Sequence, residues 1–150
     1  MDPKHKEIAE GIYQAAIFGL AETGVDMPVI SLIKDNQCIP ILIPPYIEIT
    51  VDEYAARANE MAKEQNADAI LIIAGMWVVK GHKDEIDLEQ RPSQSPNREE
   101  HLNLVYMSAD GEETASITGE IKTNVGTGTK YVEKYDWMDA VRNNFFEPWK

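Results

Sequence analysis

Basic residues and long apolar runs are both scarce in this sequence. It contains 14 Lys and Arg against 26 Asp and Glu, which gives a net charge of −12 at pH 7. This balance provides no broad positive surface for phosphate groups, so we expect no binding to nucleic acid or to an anionic membrane. No apolar run approaches the roughly 20 residues that a membrane-spanning helix needs.

Cysteine is nearly absent as well. Cys38 is the only one, which excludes a disulfide within the chain and a cluster of thiolate ligands around a metal. A chain without disulfides is typical of a reducing compartment, and residues Met1 to Glu7 lack the basic and apolar regions of a secretion signal. We therefore expect a cytoplasmic protein.

The common catalytic motifs are missing too. The sequence has no Gly-x-Ser-x-Gly elbow, no His-Glu-x-x-His helix and no Rossmann fingerprint, which mark a nucleophilic serine, a zinc peptidase and a dinucleotide site. The acidic stretch around His82, Asp84 and Glu85 fits no metal-binding spacing and is typical of a solvated loop. We expect no cofactor and no metal, and the sequence leaves open whether the protein is an enzyme.

Apolar residues are sufficient for one core. A hydrophobic content of 43% over 150 residues predicts a single domain spanning residues 1–150. Asp2 followed by Pro3 predicts the start of a first helix that ends at Gly24. The spacing of Thr50 and Glu53 is that of a capping box, which predicts the start of a second helix.

The segment between these helices predicts a β-hairpin that turns at Asp35-Asn36. The two-residue turn fixes the facing pairs as Leu32 with Ile39, Ile30 with Ile41 and Ile33 with Cys38. Both faces are apolar and need cover, whereas Pro40 cannot donate to a ladder and places its strand at a sheet edge. An apolar edge is a liability in a monomer, so we expect a second copy to pair there in a homodimer.

The rest of the chain predicts further antiparallel strands. Ala69 to Val79 is apolar on both faces, as in the middle of a covered sheet. A hairpin turning at Asp110-Gly111 places His101 opposite Glu120 on a mixed polar face and Leu104 opposite Ile117 on an apolar one. Asp136 then predicts the start of a final helix.

The predicted fold is therefore α+β. It has a five-stranded antiparallel sheet with helices packed on one face, in the order α-β-β-α-β-β-β-α. The pattern near Lys130 to Lys134 is that of a further short strand, which this count leaves out.

Residues 80 to 99 lack periodicity and predict a long loop, and loops of this length in compact domains are often functional. Here we place the candidate ligand-binding residues: Arg91, Ser93 and Arg98, with His101 and Glu120 on the adjacent hairpin face. The arginines can bind an anion, or they can fasten the loop to the sheet, with Glu99 opposite Lys122. His101 and Glu120 form an acid/base pair, a metal-binding pair or an ordinary cross-strand contact.

Two resemblances bear on these expectations. Trp77, followed by Arg91-Pro92-Ser93 and Pro96-Asn97-Arg98-Glu99, resembles an uncharacterised bacterial and phage-type family of no known activity, over about a third of the chain. That family often has a glutamate before the tryptophan, where this chain has Ala74-Gly75-Met76. The element order is similar to that of roadblock-type domains, which form dimers through a shared sheet.

These features favour a non-catalytic interaction or assembly module that forms a homodimer and can bind a further protein. The alternative is a small metal-dependent hydrolase or an anion- or ligand-binding protein. Its site would lie between the 80–99 loop and the polar hairpin face.

Overall fold

A computed structural model describes residues 1–25, 27–43, 47–79, 98–139 and 143–150. In this part of the chain, helices and strands follow one another in the order α-β-β-α-β-β-β-β. They are α1 (Pro3–Thr23), β1 (Val29–Lys34), β2 (Gln37–Ile41), α2 (Val51–Glu64), β3 (Ala69–Val79), β4 (Arg98–Ser108), β5 (Thr114–Thr123) and β6 (Lys130–Asp139). No helix among these residues is long and apolar enough to cross a membrane.

The strands form one antiparallel sheet with the order β2-β1-β3-β4-β5-β6. The predicted α+β class with an antiparallel sheet is thereby confirmed. The predicted count of five strands is wrong, because the sheet has six. The predicted position of the Ala69 to Val79 strand is correct, since β3 lies between β1 and β4.

The final helix predicted after Asp136 is also wrong, because that stretch belongs to β6. Tyr135 and Trp137 pack against the apolar cluster beneath α1, while Asp136 and Met138 between and after them are exposed. This alternation has the period of a strand, and the free edge of β5 provides its hydrogen-bonding partner. The remainder of the predicted helix includes residues 140–142, which lie outside the described residues.

The two helices cover opposite faces of the sheet, and not one face as predicted. Leu71 and Ile73 of β3 belong to a cluster with Tyr13 of α1, whereas Ile70 and Ile72 belong to a cluster with residues of α2. A strand that is apolar on both faces needs cover on both, and one helix on each side provides it. The result is a three-layer arrangement of helix, sheet and helix.

Capping residues explain why the two helices begin where the sequence predicted and why α1 ends at Gly24. Asp2 accepts a hydrogen bond from the Lys4 amide at 2.8 Å, and α1 ends at Gly24 with a φ of 70°. Thr50 accepts from the Glu53 amide at 3.1 Å at the start of α2. Each cap satisfies amide or carbonyl groups that a helix end leaves unpaired.

Both predicted hairpin registers are confirmed. Asp35 and Asn36 have φ angles of 50° and 60°, as a primed two-residue turn requires. In the second hairpin the facing pairs are as predicted, but the connection is longer than two residues. The Ser108 amide donates to the Glu113 carbonyl at 2.9 Å, so the loop spans residues 109–112.

Residues 143–150 fold back against α2 without regular structure. Phe146 is buried in the cluster beneath α2. The Asn59 side chain donates to the Glu147 carbonyl at 2.9 Å and accepts from the Glu147 amide at 2.6 Å. The Trp149 indole donates to the Ala67 carbonyl at 2.9 Å. This segment therefore completes the cover of the α2 side of the sheet.

Candidate functional site

The predicted site residues do not all come together. His101 and Glu120 face each other across β4 and β5 and line one cavity of about 260 Å³. Arg98 lies on the opposite face of β4, where its guanidinium carbon is 4.8 Å from the centre of the Trp77 ring. Arg91 and Ser93, with the predicted loop from residue 80 to residue 97, lie outside the described residues. Arg98 and Glu99, the other end of that loop, belong to β4.

His101 is the most buried polar group in this cavity, with an exposed fraction of 6%. Its Nε2 donates to Oε2 of Glu99 at 3.0 Å, and its Nδ1 lies 3.3 Å from the hydroxyl of Thr118. Thr118 in turn donates to Oδ1 of Asn103 at 2.5 Å. Both ring nitrogens thus face protein atoms, and either one would have to leave its neighbour before it could bind a metal.

The cavity wall formed by β6 carries a β-bulge. Glu133 and Lys134 occupy the space opposite the single residue Glu120, between the pairs Gly119–Tyr135 and Ile121–Val132. Oε2 of Glu133 lies 2.8 Å from the Lys122 ammonium. That hydrogen bond, with the opposite charge, raises the pKa of Lys122 and lowers the pKa of Glu133. The ion pair of Lys122 is thus with Glu133 across the β5–β6 pair, while Glu99 contacts His101.

The cavity is lined by charges of both signs, of which Lys122 and Glu133 pair with each other. Within the described ranges, no three His, Cys, Asp or Glu side chains are close enough to hold a metal ion. The arrangement resembles a polar network that ties three strands together beyond the start of α2.

A different region of the molecule exposes large apolar side chains. We call it the apolar end, and its residues are between 39% and 80% exposed: Val25, Met27, Leu42, Ile47 and Val51. Folded monomers rarely leave such residues adjacent to one another without a function.

Topology brings these residues to one end of the sheet. The end of α1, the start of β1, the end of β2 and the start of α2 meet there, because Ile30 of β1 pairs with Ile41 of β2. The Asp35-Asn36 turn lies at the opposite end of the same hairpin, together with residues 109–112. The described residues of the connections before β1 and after β2 therefore lie at the same end of the sheet.

An apolar groove of about 290 Å³ runs along the apolar end. The lining side chains are mainly aliphatic, with Tyr54 as a wall: Met27, Pro28, Ile43, Ile47, Ile49 and Val51. The Tyr54 hydroxyl donates to the Ile41 carbonyl and accepts from the Ile30 amide at 2.8 Å. Burial raises the pKa of Tyr54. These hydrogen bonds join α2 to β1 and β2, so the Tyr54 wall of the groove is held in place.

Sequence reasoning did not identify the apolar end. The sequence instead indicated an interface at the β2 edge and a ligand site at the 80–99 loop. A usable signal was present in Ile47, Ile49 and Val51, which are apolar residues in or beside a connection and outside any strand. Apolar residues in a connection are exposed unless something covers them.

Comparison with family models, with curated proteins and with solved structures found no match to this chain. The resemblances noted in the sequence therefore stay predictions.

Proposed function

We propose that this protein is a non-catalytic interaction module that docks another polypeptide on its apolar end. One observation carries the proposal: Met27 and Ile47, which are 72% and 39% exposed, line a preformed apolar groove, and Leu42, beside one of its lining residues, is 80% exposed. Leaving three such side chains in water opposes solubility, and covering each of them would contribute about 1.5–3 kcal/mol to an interface.

The homodimer expected from the sequence would form more readily at the apolar end than at the β2 edge. In a hairpin with a two-residue turn, the amides of Gln37, Ile39 and Ile41 point towards β1, and residues 38 and 40 point outwards. Pro40 has no amide hydrogen, so Cys38 alone offers an outward donor within β2. An edge blunted in this way resists pairing with another strand.

Site-specific photo-crosslinking in the cells that express the protein tests the proposal. A photoreactive phenylalanine analogue placed at Leu42 is expected to form adducts with a second polypeptide, and an adduct of twice the chain mass would identify a second copy. Met138 provides the matched control, because it is 51% exposed near the opposite end, where it pairs with Ser116. Equal adducts at both positions, or none at Leu42, would contradict the proposal.

A second candidate function uses the polar cavity. His101, Glu120 and Lys122 line it together, which favours a small polar ligand carrying both signs of charge. Calorimetric titration with free amino acids tests this candidate, since heat that disappears in Glu120→Gln would support it. If no amino acid at millimolar concentration releases or absorbs heat, this second candidate function is contradicted.

A further inference from the structure

The apolar end is rimmed by acidic groups. Glu48 lines the groove, and Asp52 and Glu53 follow in the first turn of α2, where Asp52 lines the adjoining cavity beside residues 144–149. Asp52 and Glu53 also stabilise the start of the helix through its dipole, whereas Glu48 precedes the helix and has no such role. The rim therefore presents negative charge to whatever covers the apolar residues.

Basic groups are scarce in this part of the sequence. From residue 7 to residue 56 the only Lys, Arg or His is Lys34. Lys34 lies beside the Asp35-Asn36 turn, where its ammonium donates to the Gln65 carbonyl at 2.5 Å at the far end of α2. Arg57 is the nearest other basic residue and lies one turn of α2 after Glu53. A single arginine leaves the three carboxylates of the rim with an excess of negative charge.

We infer that the partner of the apolar end is an amphipathic helix with an apolar face flanked by Lys or Arg. This inference depends on the proposed function, which it makes more specific. The groove accepts aliphatic side chains, and the acidic rim pairs with basic flanks, the combination used when a helix binds in a groove. Strand addition is disfavoured because Pro40 removes an outward donor from the adjacent edge.

A second copy fits this surface less well. It would bring its own Glu48, Asp52 and Glu53 against the same three carboxylates. Like charges placed opposite each other weaken an interface and slow its formation, and the net charge of −12 per chain adds to that repulsion. Charge complementarity therefore favours a basic partner over self-association.

Two synthetic helices of about 18 residues test the inference, a length at which an amphipathic helix can form. Both have the same leucine face, one with lysine flanks and one with glutamate flanks. Each carries a fluorophore and is titrated with the full-length protein by anisotropy. We expect the Leu/Lys helix to bind, and to bind at least tenfold more tightly than the Leu/Glu helix. Its affinity is expected to fall as salt is raised.

Two variants of the protein test where the Leu/Lys helix binds. Leu42→Asp is expected to weaken binding of the Leu/Lys helix by about 10- to 100-fold, the equivalent of one buried leucine. Met138→Asp is expected to leave it unchanged. Both residues are exposed, and circular dichroism with thermal unfolding checks that both variants fold.

The outcomes separate the inference from the proposed function. Equal binding of both helices, lost in Leu42→Asp, would overturn the basic partner and retain the docking surface. Self-association of the protein without binding of either helix would overturn the inference in favour of a second copy. Binding of the Leu/Lys helix that is the same in Leu42→Asp and Met138→Asp would overturn both, because net charge alone would then explain it.

Discussion

Gly119 lies where β5 and β6 approach most closely, next to the β-bulge. A Cβ atom at this position would be 2.5 Å from Cγ1 of Val132 and 2.9 Å from the carbonyl oxygen of Lys134. Because a backbone oxygen cannot move without disturbing the bulge, we expect Gly119→Ala to lower the free energy of unfolding by about 1–3 kcal/mol. Urea denaturation monitored by circular dichroism measures the change.

Gly11 provides the control for this substitution. It lies in the interior of α1, and a Cβ atom there would meet nothing within 4 Å. Gly11→Ala is therefore expected to raise the free energy of unfolding by about 0.5–1 kcal/mol through helix propensity alone. If Gly119→Ala were as well tolerated as Gly11→Ala, the close approach of β6 described here would be incorrect.

Three buried tyrosines make stability depend on alkaline pH. Burial raises the pKa values of Tyr13, Tyr54 and Tyr106 above their ordinary value. Unfolding returns these hydroxyls to water, where they ionise near pH 10. Their contribution is therefore complete below that pH and is lost as the pH rises towards the folded values. Urea denaturation at pH 7, 9 and 11 is expected to show a lower free energy of unfolding at pH 11 alone.

At the scale of elements, residues 143–150 act as a strap across α2. Asn59 holds both the amide and the carbonyl of Glu147, and Phe146 is buried beneath. Asn59→Ala removes two hydrogen bonds and is expected to lower the free energy of unfolding by roughly 1–2 kcal/mol. Hydrogen exchange at the amides of residues 145–150 is expected to accelerate before any other part of the chain.

Asn144→Ala is the matched control, since Asn144 is an exposed residue of the same segment. It is expected to change neither stability nor exchange. Equal protection of residues 145–150 in Asn59→Ala and the unsubstituted protein would show that Phe146 and Trp149 hold the strap without the Asn59 side chain.

The elements with local signals were predictable from the sequence. Asp35-Asn36 fixed one hairpin register, and the caps at Asp2 and Thr50 located both helix starts. The first half of β6, near Lys130 to Lys134, was predicted as a strand. The second half was predicted as a helix because Trp137 also fits a helical stripe. This stretch is a strand because it pairs with β5. Such a pairing between strands is not visible in the periodicity of either segment.

At the scale of the whole molecule, the candidate site was less predictable than the fold. His101 facing Glu120 followed from a register that the sequence contains. The apolar end did not, because α1, β1, β2 and α2 contribute to it from separate connections. Only the packing of two helices on opposite faces brings those connections to one end, and no local pattern specifies that packing.

Self-association of the protein alone is expected to increase with salt. The apolar end favours contact between copies, and the acidic rim opposes it at low ionic strength, where charges are poorly screened. Sedimentation velocity at about 50 mM and 500 mM salt measures this, with Leu42→Asp as the variant expected to remain monomeric. Dimers that are unaffected by salt and persist in Leu42→Asp would place the interface elsewhere.

The most direct measurement of the central claim is a map of amide chemical shifts on adding the Leu/Lys helix to the labelled protein. Docking at the apolar end predicts shifts at residues 25, 42–43 and 47–54, with little change at residues 109–114 beyond the far end of the sheet. Shifts concentrated at residues 109–114, or spread evenly over the acidic surface, would contradict the claim.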